Sequence, residues 1–221
     1  MNNELLVFAD GWNTLGWLGV LVLGWFGWRA GAFLQLKDNA RLNLFLGVAV
    51  ALMVMWQIRT GVRPGLSFHL LGASMATLMF GFWRGWLAAS IAAVATALAG
   101  KSGLPALGIE IMVFCALPAA FTWHLYKLVD HKLPNHFFIY VLVNGFFGGA
   151  LAVVSVALAS TLVLSLSGAY PSGYLLEHYT PYFFLLSWSE AFTTGMVVTL
   201  LAVYRPDWLE TFDDSRYIKN K

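Results

Sequence analysis

The sequence predicts an all-α integral membrane protein that crosses the bilayer several times. The chain of 221 residues is 59% hydrophobic and only 11% charged, whereas a soluble domain carries about 25% charged residues. Its mean hydropathy is +0.71, and its apolar residues form long runs separated by short polar stretches. A water-facing fold cannot bury that much apolar surface, so lipid is the expected environment of most of the chain.

About seven apolar segments are candidates for transmembrane helices, because a hydrocarbon core about 30 Å thick needs about 20 apolar residues per helix. In chain order they are residues 14–36, 41–58, 67–83, 85–100, 105–128, 136–167 and 180–204. The third and fourth segments are joined by a very short link at residues 82–85, which predicts an antiparallel helical hairpin. The sixth segment is longer than one untilted span requires.

Lysine and arginine residues predict the orientation of these spans, since cytoplasmic loops are enriched in them. With the N-terminus outside and the C-terminus inside, ten of the 13 lysines and arginines lie on the cytoplasmic side. The sequence therefore predicts one transmembrane domain over residues 1–204 and a short cytoplasmic tail over residues 205–221. We expect this multi-pass protein in the inner (plasma) membrane.

Several polar side chains need an explanation, because a charge within a span costs about 2.5–3.5 kcal/mol on insertion scales. Glu110 lies near the outer end of the fifth span, Asn144 lies in the sixth and Glu190 lies half-way along the seventh, while Lys101 directly precedes the fifth. Such groups hold helices together through hydrogen bonds or take part in function. The sequence leaves both interpretations open for each of them.

His69 opens an uncharged stretch that runs to Trp83 and is rich in small residues. The predicted topology places it at the outer face, where a substrate would arrive. A neutral imidazole is a common ligand for nickel, cobalt, copper and zinc. A single histidine is also often a structural residue, so spacing alone does not decide between the two roles.

Four motifs resemble those of the CbiM/NikM family, the substrate-binding membrane components of energy-coupling-factor transporters for cobalt and nickel. In chain order these motifs are DG at residues 10–11, FHLLGA at 68–73, KSGLPALG at 101–108 and SEAFTTG at 189–195, the last followed by RPDWL at 205–209. The resemblance implies a seven-helix permease that takes up a divalent transition metal ion, energised by partner ATPase and coupling transmembrane subunits.

The chain departs from the metal site that this resemblance implies. In the family the N-terminal amine, a histidine directly after the first methionine and the histidine of the His-Leu-Leu-Gly run hold the metal. Here Val7 aligns with the second-position histidine, Lys101 replaces a loop histidine, and only His69 matches. We expect further ligands from Glu110 and then from Asp10, a donor set that suits a more weakly held ion. Alternatively the pocket holds another ligand, because Lys101 would repel a cation and suits an anionic group.

Transport of nickel, cobalt, copper or zinc as substrate is therefore the leading hypothesis, with no other cofactor expected. The alternative is a stand-alone membrane binding protein, sensor or assembly protein that reuses the fold for a different metal or a non-metal ligand. A rhomboid-like protease would need Gly-x-Ser-Gly, and the sequence Ser-Leu-Ser-Gly at residues 165–168 lacks the first glycine, so we predict no enzyme. No nucleotide-binding loop is present, so ATP use would need a partner chain. Neither motif nor charge predicts a nucleic-acid partner.

Overall fold

The computed structural model describes residue 8, residues 10–63 and residues 65–219. Its helices are α1 (Asp10–Arg29), α2 (Asn39–Gln57), α3 (Ala73–Leu98), α4 (Leu107–Lys132), α5 (Phe137–Leu166), α6 (Ser172–His178) and α7 (Tyr182–Tyr204). Short helical turns occur at Leu34–Lys37, Pro206–Trp208 and Ser215–Lys219. An antiparallel hairpin of β1 (Thr60–Arg63) and β2 (Leu66–Phe68) joins α2 to α3.

Five helices in the described part of the chain, α2, α3, α4, α5 and α7, are long and apolar enough to cross a membrane. The predicted all-α, multi-pass membrane protein is thus confirmed, while the count of seven spans and the orientation stay predictions. Helix α1 ends earlier than the predicted first span, because Gly31 adopts a left-handed conformation with φ of +63°. Helix α3 begins later than the predicted third span, because residues 66–68 pair with β1 instead of joining the helix.

Helix α3 is a hairpin of two arms that meet at Gly81, whose φ of 76° and ψ of 174° are not helical. A Cβ atom added to Gly85 would lie only 2.6 Å from Thr77 Cα, although residues eight positions apart in a continuous helix are separated by about 12 Å. The chain therefore reverses direction as the predicted antiparallel hairpin requires, but the turn lies at Gly81 and not in the predicted link at residues 82–85. Its first arm, residues 73–80, rises only about 12 Å and is too short to cross a hydrocarbon core by itself. The length that makes α3 a candidate span is therefore divided between two arms.

The segment after α7 packs against the tip of this hairpin. The Glu210 N–H donates to the Met79 carbonyl at 3.1 Å, and the Thr211 hydroxyl donates to the Leu78 carbonyl at 2.7 Å. These bonds satisfy carbonyl groups at the carboxyl end of the first arm, which lack partners within their own helix. The predicted tail thus contributes to the packed structure, and the side of the membrane on which it lies stays a prediction.

Close helix contacts position the amino end of α4. A Cβ atom on Gly16 of α1 would lie 2.5 Å from the Ile109 nitrogen, and one on Gly108 would lie 2.6 Å from the Trp17 nitrogen. Small residues allow such close approach of helix backbones in membranes. Helix α1 is consequently packed directly against the end of α4 that carries Glu110.

Candidate functional site

The loop of residues 69–72 connects β2 to the first arm of α3 and carries His69. Trp56, a fully buried residue of α2, donates its indole N–H to the Leu71 carbonyl at 2.9 Å. The Trp56 and His69 rings also lie against one another, with centroids 4.2 Å apart. A single tryptophan therefore fixes the loop backbone and supports one face of the imidazole.

Glu190 holds the same loop through two further hydrogen bonds. It projects from α7 and is 1% exposed, and its two carboxylate oxygens accept hydrogen bonds from the N–H groups of Leu71 at 2.8 Å and Gly72 at 2.7 Å. These donors lie at the amino end of α3, where unpaired N–H groups and the helix dipole favour a negative charge. The predicted intramembrane carboxylate thus positions the loop that carries His69.

Gly72 is required at the turn into α3 for two independent reasons. Its φ of +62° is in the left-handed region, which side chains other than glycine rarely adopt. A Cβ atom there would also lie 2.4 Å from Leu52 Cδ2. The glycine lets the loop pass close against α2, and this close approach places His69 next to Trp56.

The His69 side chain is buried, with 5% exposed. Its Nδ1 lies 3.0 Å from the Leu70 carbonyl oxygen, and because a carbonyl only accepts, this hydrogen bond places the ring proton on Nδ1. The lone pair is then on Nε2, and a backbone partner for the other ring nitrogen is typical of metal-binding histidines. Burial, followed by the positive charge of Arg59, lowers the pKa of His69 to about 4, so the imidazole is neutral at neutral pH.

Lys101 and Glu110 form an ionic cluster with Arg59 at the end of α2. The Arg59 Nη2 lies 3.6 Å from Glu110 Oε1, and Arg59 Nη1 donates to the Lys101 carbonyl at 3.0 Å. The Lys101 ammonium donates to the Gln57 carbonyl at 2.8 Å. In this arrangement the two predicted site residues tie the α3–α4 loop to the carboxyl end of α2.

Phe8, which precedes α1, also reaches the loop region. It is 7% exposed and belongs to the same buried apolar cluster as Leu66 and Leu71. Asn13 donates from its side-chain amide to the Phe8 carbonyl at 3.1 Å, which ties Phe8 to α1. The backbone of Asp10 begins α1, and its side chain lies outside the described residues.

Asn144 lies apart, within the π-helical segment Tyr140–Phe147 of α5. It is 1% exposed, and among the described residues neither its amide oxygen nor its amide nitrogen has a hydrogen-bond partner. In the described part of the chain, no three His, Cys, Asp or Glu side chains come together as a metal site. The roles of His69, Glu110 and Asp10 as metal ligands stay predictions.

Two residues of this site, Trp56 and Arg59, are not predicted as site residues from the sequence. Trp56 is one of ten tryptophans, and nothing in its local sequence separates it from those that anchor helices at the membrane interface. Arg59 is distinguished in the sequence as the first charged residue after an uncharged run from residue 42 to residue 58. Its proximity to Glu110 depends on contacts between elements that are distant in the sequence.

Comparisons with known proteins concern nearly the whole chain. The family model CbiM, described as the cobalt uptake substrate-specific transmembrane region, matches residues 7–208. A protein named putative fused nickel transport protein NikMN, from Archaeoglobus fulgidus, is 23% identical over 198 residues. That match covers 87% of this chain but only 62% of the relative's length, so the chain spans less than two thirds of that protein.

Two solved structures share the fold. A crystal structure of a truncated transition metal transporter has a TM-score of 0.77 and 18% identity, and the match covers 88% of this chain and 95% of that one. A crystal structure of a transition metal transporter has a TM-score of 0.74 and 17% identity, covering 88% and 89% of the two chains.

Proposed function

The chain belongs to the CbiM family of cobalt uptake substrate-specific transmembrane regions, and on this premise we propose that it is a membrane component that binds a divalent transition metal ion for uptake. The observation that carries the proposal is His69, a buried and neutral imidazole in a loop fixed by Trp56 and Glu190. Nickel and cobalt are the first candidates as substrate, and copper and zinc also bind neutral imidazole.

His69 has the features of a positioned metal ligand. The Leu70 carbonyl holds Nδ1–H, which leaves Nε2 as the donor atom, and the Trp56 ring limits rotation of the imidazole. We propose that further ligands come from Glu110 and Asp10. Glu110 would then exchange its interaction with Arg59 for the metal ion.

We propose that partner ATPase and coupling transmembrane subunits energise the uptake, in the plasma membrane. The 221 residues contain no Gly-x-x-x-x-Gly-Lys-Ser/Thr sequence, which would supply the backbone cradle and lysine for nucleotide phosphates. ATP-driven uptake would therefore use a nucleotide-binding partner chain.

A stand-alone binding, sensor or assembly protein is the second candidate function. It is favoured by one observation, namely that the described residues bring no three metal-ligating side chains together. Such a protein would retain the loop and His69 but would bind a different metal or a non-metal ligand. Co-purification of an ATPase with the chain from native membranes would exclude a purely stand-alone role.

The test is cellular uptake of radioactive nickel and cobalt, together with copper and zinc uptake, by the wild type and by His69→Ala. We expect uptake of at least one of these metals to fall at least tenfold. His178→Ala is the matched control, because His178 is an exposed residue of α6, and it should retain wild-type uptake. Unchanged uptake and unchanged bound metal in His69→Ala would contradict the proposal.

A further inference from the structure

The first arm of α3, residues 73–80, continues directly from the loop that carries His69. The Ala76 N–H donates to the Gly72 carbonyl at 3.0 Å, so the last residue of the loop takes part in the first turn of the helix. Every residue of the arm except Met75 is buried. The loop and the arm therefore form one hydrogen-bonded unit inside the bundle.

The carboxyl end of this arm is held by Thr211, a buried residue of the segment after α7. The Thr211 hydroxyl lies 2.7 Å from the Leu78 carbonyl and 2.7 Å from the Tyr140 hydroxyl. Because a carbonyl only accepts, the single hydroxyl proton of Thr211 goes to Leu78, and Tyr140 donates to Thr211. Thr211 thus joins the arm to α5 and to the segment after α7.

Gly81 makes these contacts decisive for the position of the arm. In a continuous helix the Leu78 and Met79 carbonyls would accept from the N–H groups of residues 82 and 83. The non-helical torsion angles of Gly81 interrupt the helix there, and Thr211 and the Glu210 N–H provide partners instead. The position of this helix end is therefore set by residues 210 and 211.

One stretch of chain holds the arm at both ends. Glu190 of α7 accepts the N–H groups of Leu71 and Gly72 where the arm begins, and Thr211 binds about 12 Å away, where the arm ends. From the side, Thr122 of α4 donates its hydroxyl to Ser74 at 2.9 Å. A closely packed interior transmits a displacement instead of absorbing it, so a shift at one end of the arm reaches the other.

We propose that Thr211 is a positioning residue for the metal ligand His69, and that metal binding at His69 in turn stabilises the contact of residues 210–211 with the arm. Ligands must be held within about 0.5 Å of their productive positions, and Thr211 fixes the helix that continues from the loop. This inference rests on the proposed function and adds a residue to the same site. Coupling between two sites is reciprocal, so an effect is expected in each direction.

The first experiment measures equilibrium binding of Ni²⁺ to the purified full chain in lipid nanodiscs. Thr211→Val keeps the shape of the side chain but loses the hydroxyl, and we expect it to bind Ni²⁺ at least fivefold more weakly than the wild type. Thr211→Ser keeps the hydroxyl and should bind Ni²⁺ with wild-type affinity. A purely structural role would lower the melting temperature without changing the affinity of the folded protein.

Thr96→Val is the matched control. Thr96 is also fully buried, and its hydroxyl donates to the Ala92 carbonyl at 2.8 Å within the second arm of α3. The substitution therefore removes a comparable hydroxyl–carbonyl hydrogen bond that does not hold the first arm. We expect Thr96→Val to bind Ni²⁺ with wild-type affinity.

The second experiment tests the reverse direction by amide hydrogen exchange of the segment of residues 205–214. In the wild type, saturating Ni²⁺ should slow this exchange at least threefold, because the bound metal stabilises the arm to which residues 210 and 211 are bonded. Tyr140→Phe, which removes the donor to Thr211, should diminish the slowing. If Thr211→Val fails to fold, the wild-type exchange and Tyr140→Phe decide the question.

The outcomes separate this inference from the proposed function. Wild-type affinity in Thr211→Val, or exchange that Ni²⁺ leaves unchanged in the wild type, overturns the inference and leaves metal binding at His69 intact. An equal loss of affinity in Thr96→Val and Thr211→Val also overturns it, since the effect would then be general destabilisation. Ni²⁺ binding that is unchanged in His69→Ala contradicts the proposed function itself.

Discussion

Glu190 shows how a carboxylate can be accommodated within an apolar helix. Each of its oxygens accepts one backbone N–H at the start of α3, and hydrogen bonds to a charged acceptor are stronger than those to a neutral one. The sequence alone leaves its role open between joining helices and direct function. The geometry links the two, because the group that joins α7 to α3 also holds the loop of His69.

Replacing Glu190 with glutamine should destabilise the protein and weaken metal binding together. Glutamine presents one oxygen and one NH₂ group, so one of the N–H groups of Leu71 and Gly72 would face another donor. We expect a loss of about 1–3 kcal/mol in the free energy of unfolding, measured by thermal unfolding in detergent. Ser189→Ala, at a neighbouring exposed position, should change it little. An unchanged melting temperature in Glu190→Gln would contradict this role.

His69 should make the stability of the protein sensitive to acid. Burial and Arg59 lower its pKa from 6.5 to about 4 in the folded state. Between these values the unfolded chain binds a proton that the folded chain does not, so stability falls as the pH decreases from about 7 to about 4 and then levels off. The loss attributable to this residue is about 3 kcal/mol.

The measurement is the free energy of unfolding at several pH values for the wild type and for His69→Phe. Phenylalanine retains a ring against Trp56 but does not titrate. We therefore expect the variant to lose less stability than the wild type between neutral pH and pH 4. Parallel profiles for the two proteins would show that His69 is not the titrating group.

At the scale of elements, the tip of the α3 hairpin depends on the segment after α7. The Glu210 carboxylate accepts hydrogen bonds from Arg41 at the start of α2 and from Arg84 in the second arm, while its backbone N–H bonds to the first arm. Arg84 is 9% exposed, and a charge this deeply buried needs compensation. One residue of the predicted tail therefore joins α2 to both arms of α3.

Glu210→Gln should destabilise the protein far more than a similar change at an exposed ion pair. The substitution removes the carboxylate that Arg41 and Arg84 share, and losing one partner of a largely buried ion pair costs about 3 kcal/mol. Asp207→Asn is the matched control, because Asp207 pairs with Arg205 at 3.1 Å on the surface, where ion pairs contribute little. Equal melting temperatures for the two variants would refute the proposed link.

The α3 hairpin also shows which structural features a sequence pattern can predict and which it cannot. Its short link predicts two arms, and glycine at position 81 provides the turn. The start of the first arm is predicted too early, because a short apolar run such as residues 66–68 is compatible with a strand or a helix. Pairing with β1 decides in favour of the strand, and that pairing is a tertiary contact.

The site was only partly predictable for a similar reason. His69 stands out through its motif and its position at a helix start, and Glu190 through its charge within an apolar run. The ionic cluster of Arg59, Lys101 and Glu110 joins the ends of α2 and α4 with the α3–α4 loop. Such contacts between distant segments leave no periodic pattern in the sequence.

At the scale of the whole molecule, ion pairs separate into two groups at opposite ends of the helices. Arg59 and Glu110 form an ion pair near the carboxyl end of α2, and Arg41 and Glu210 form one near its amino end. Helix α2 has 19 residues and rises about 28 Å, close to the thickness of a hydrocarbon core. This separation matches a bundle that crosses a bilayer with one group of ion pairs at each surface of the hydrocarbon core.

The orientation can be tested on α5, whose 30 residues rise about 45 Å and must place their ends on opposite sides of a core about 30 Å thick. Lys132 precedes α5, Glu177 follows it, and both are exposed. We expect a membrane-impermeant maleimide to label Glu177→Cys on intact cells and to label Lys132→Cys only after permeabilisation. Cys115 is buried and is replaced by alanine as background. The reverse pattern would invert the predicted orientation, and labelling of both cysteines on intact cells would contradict α5 as a span.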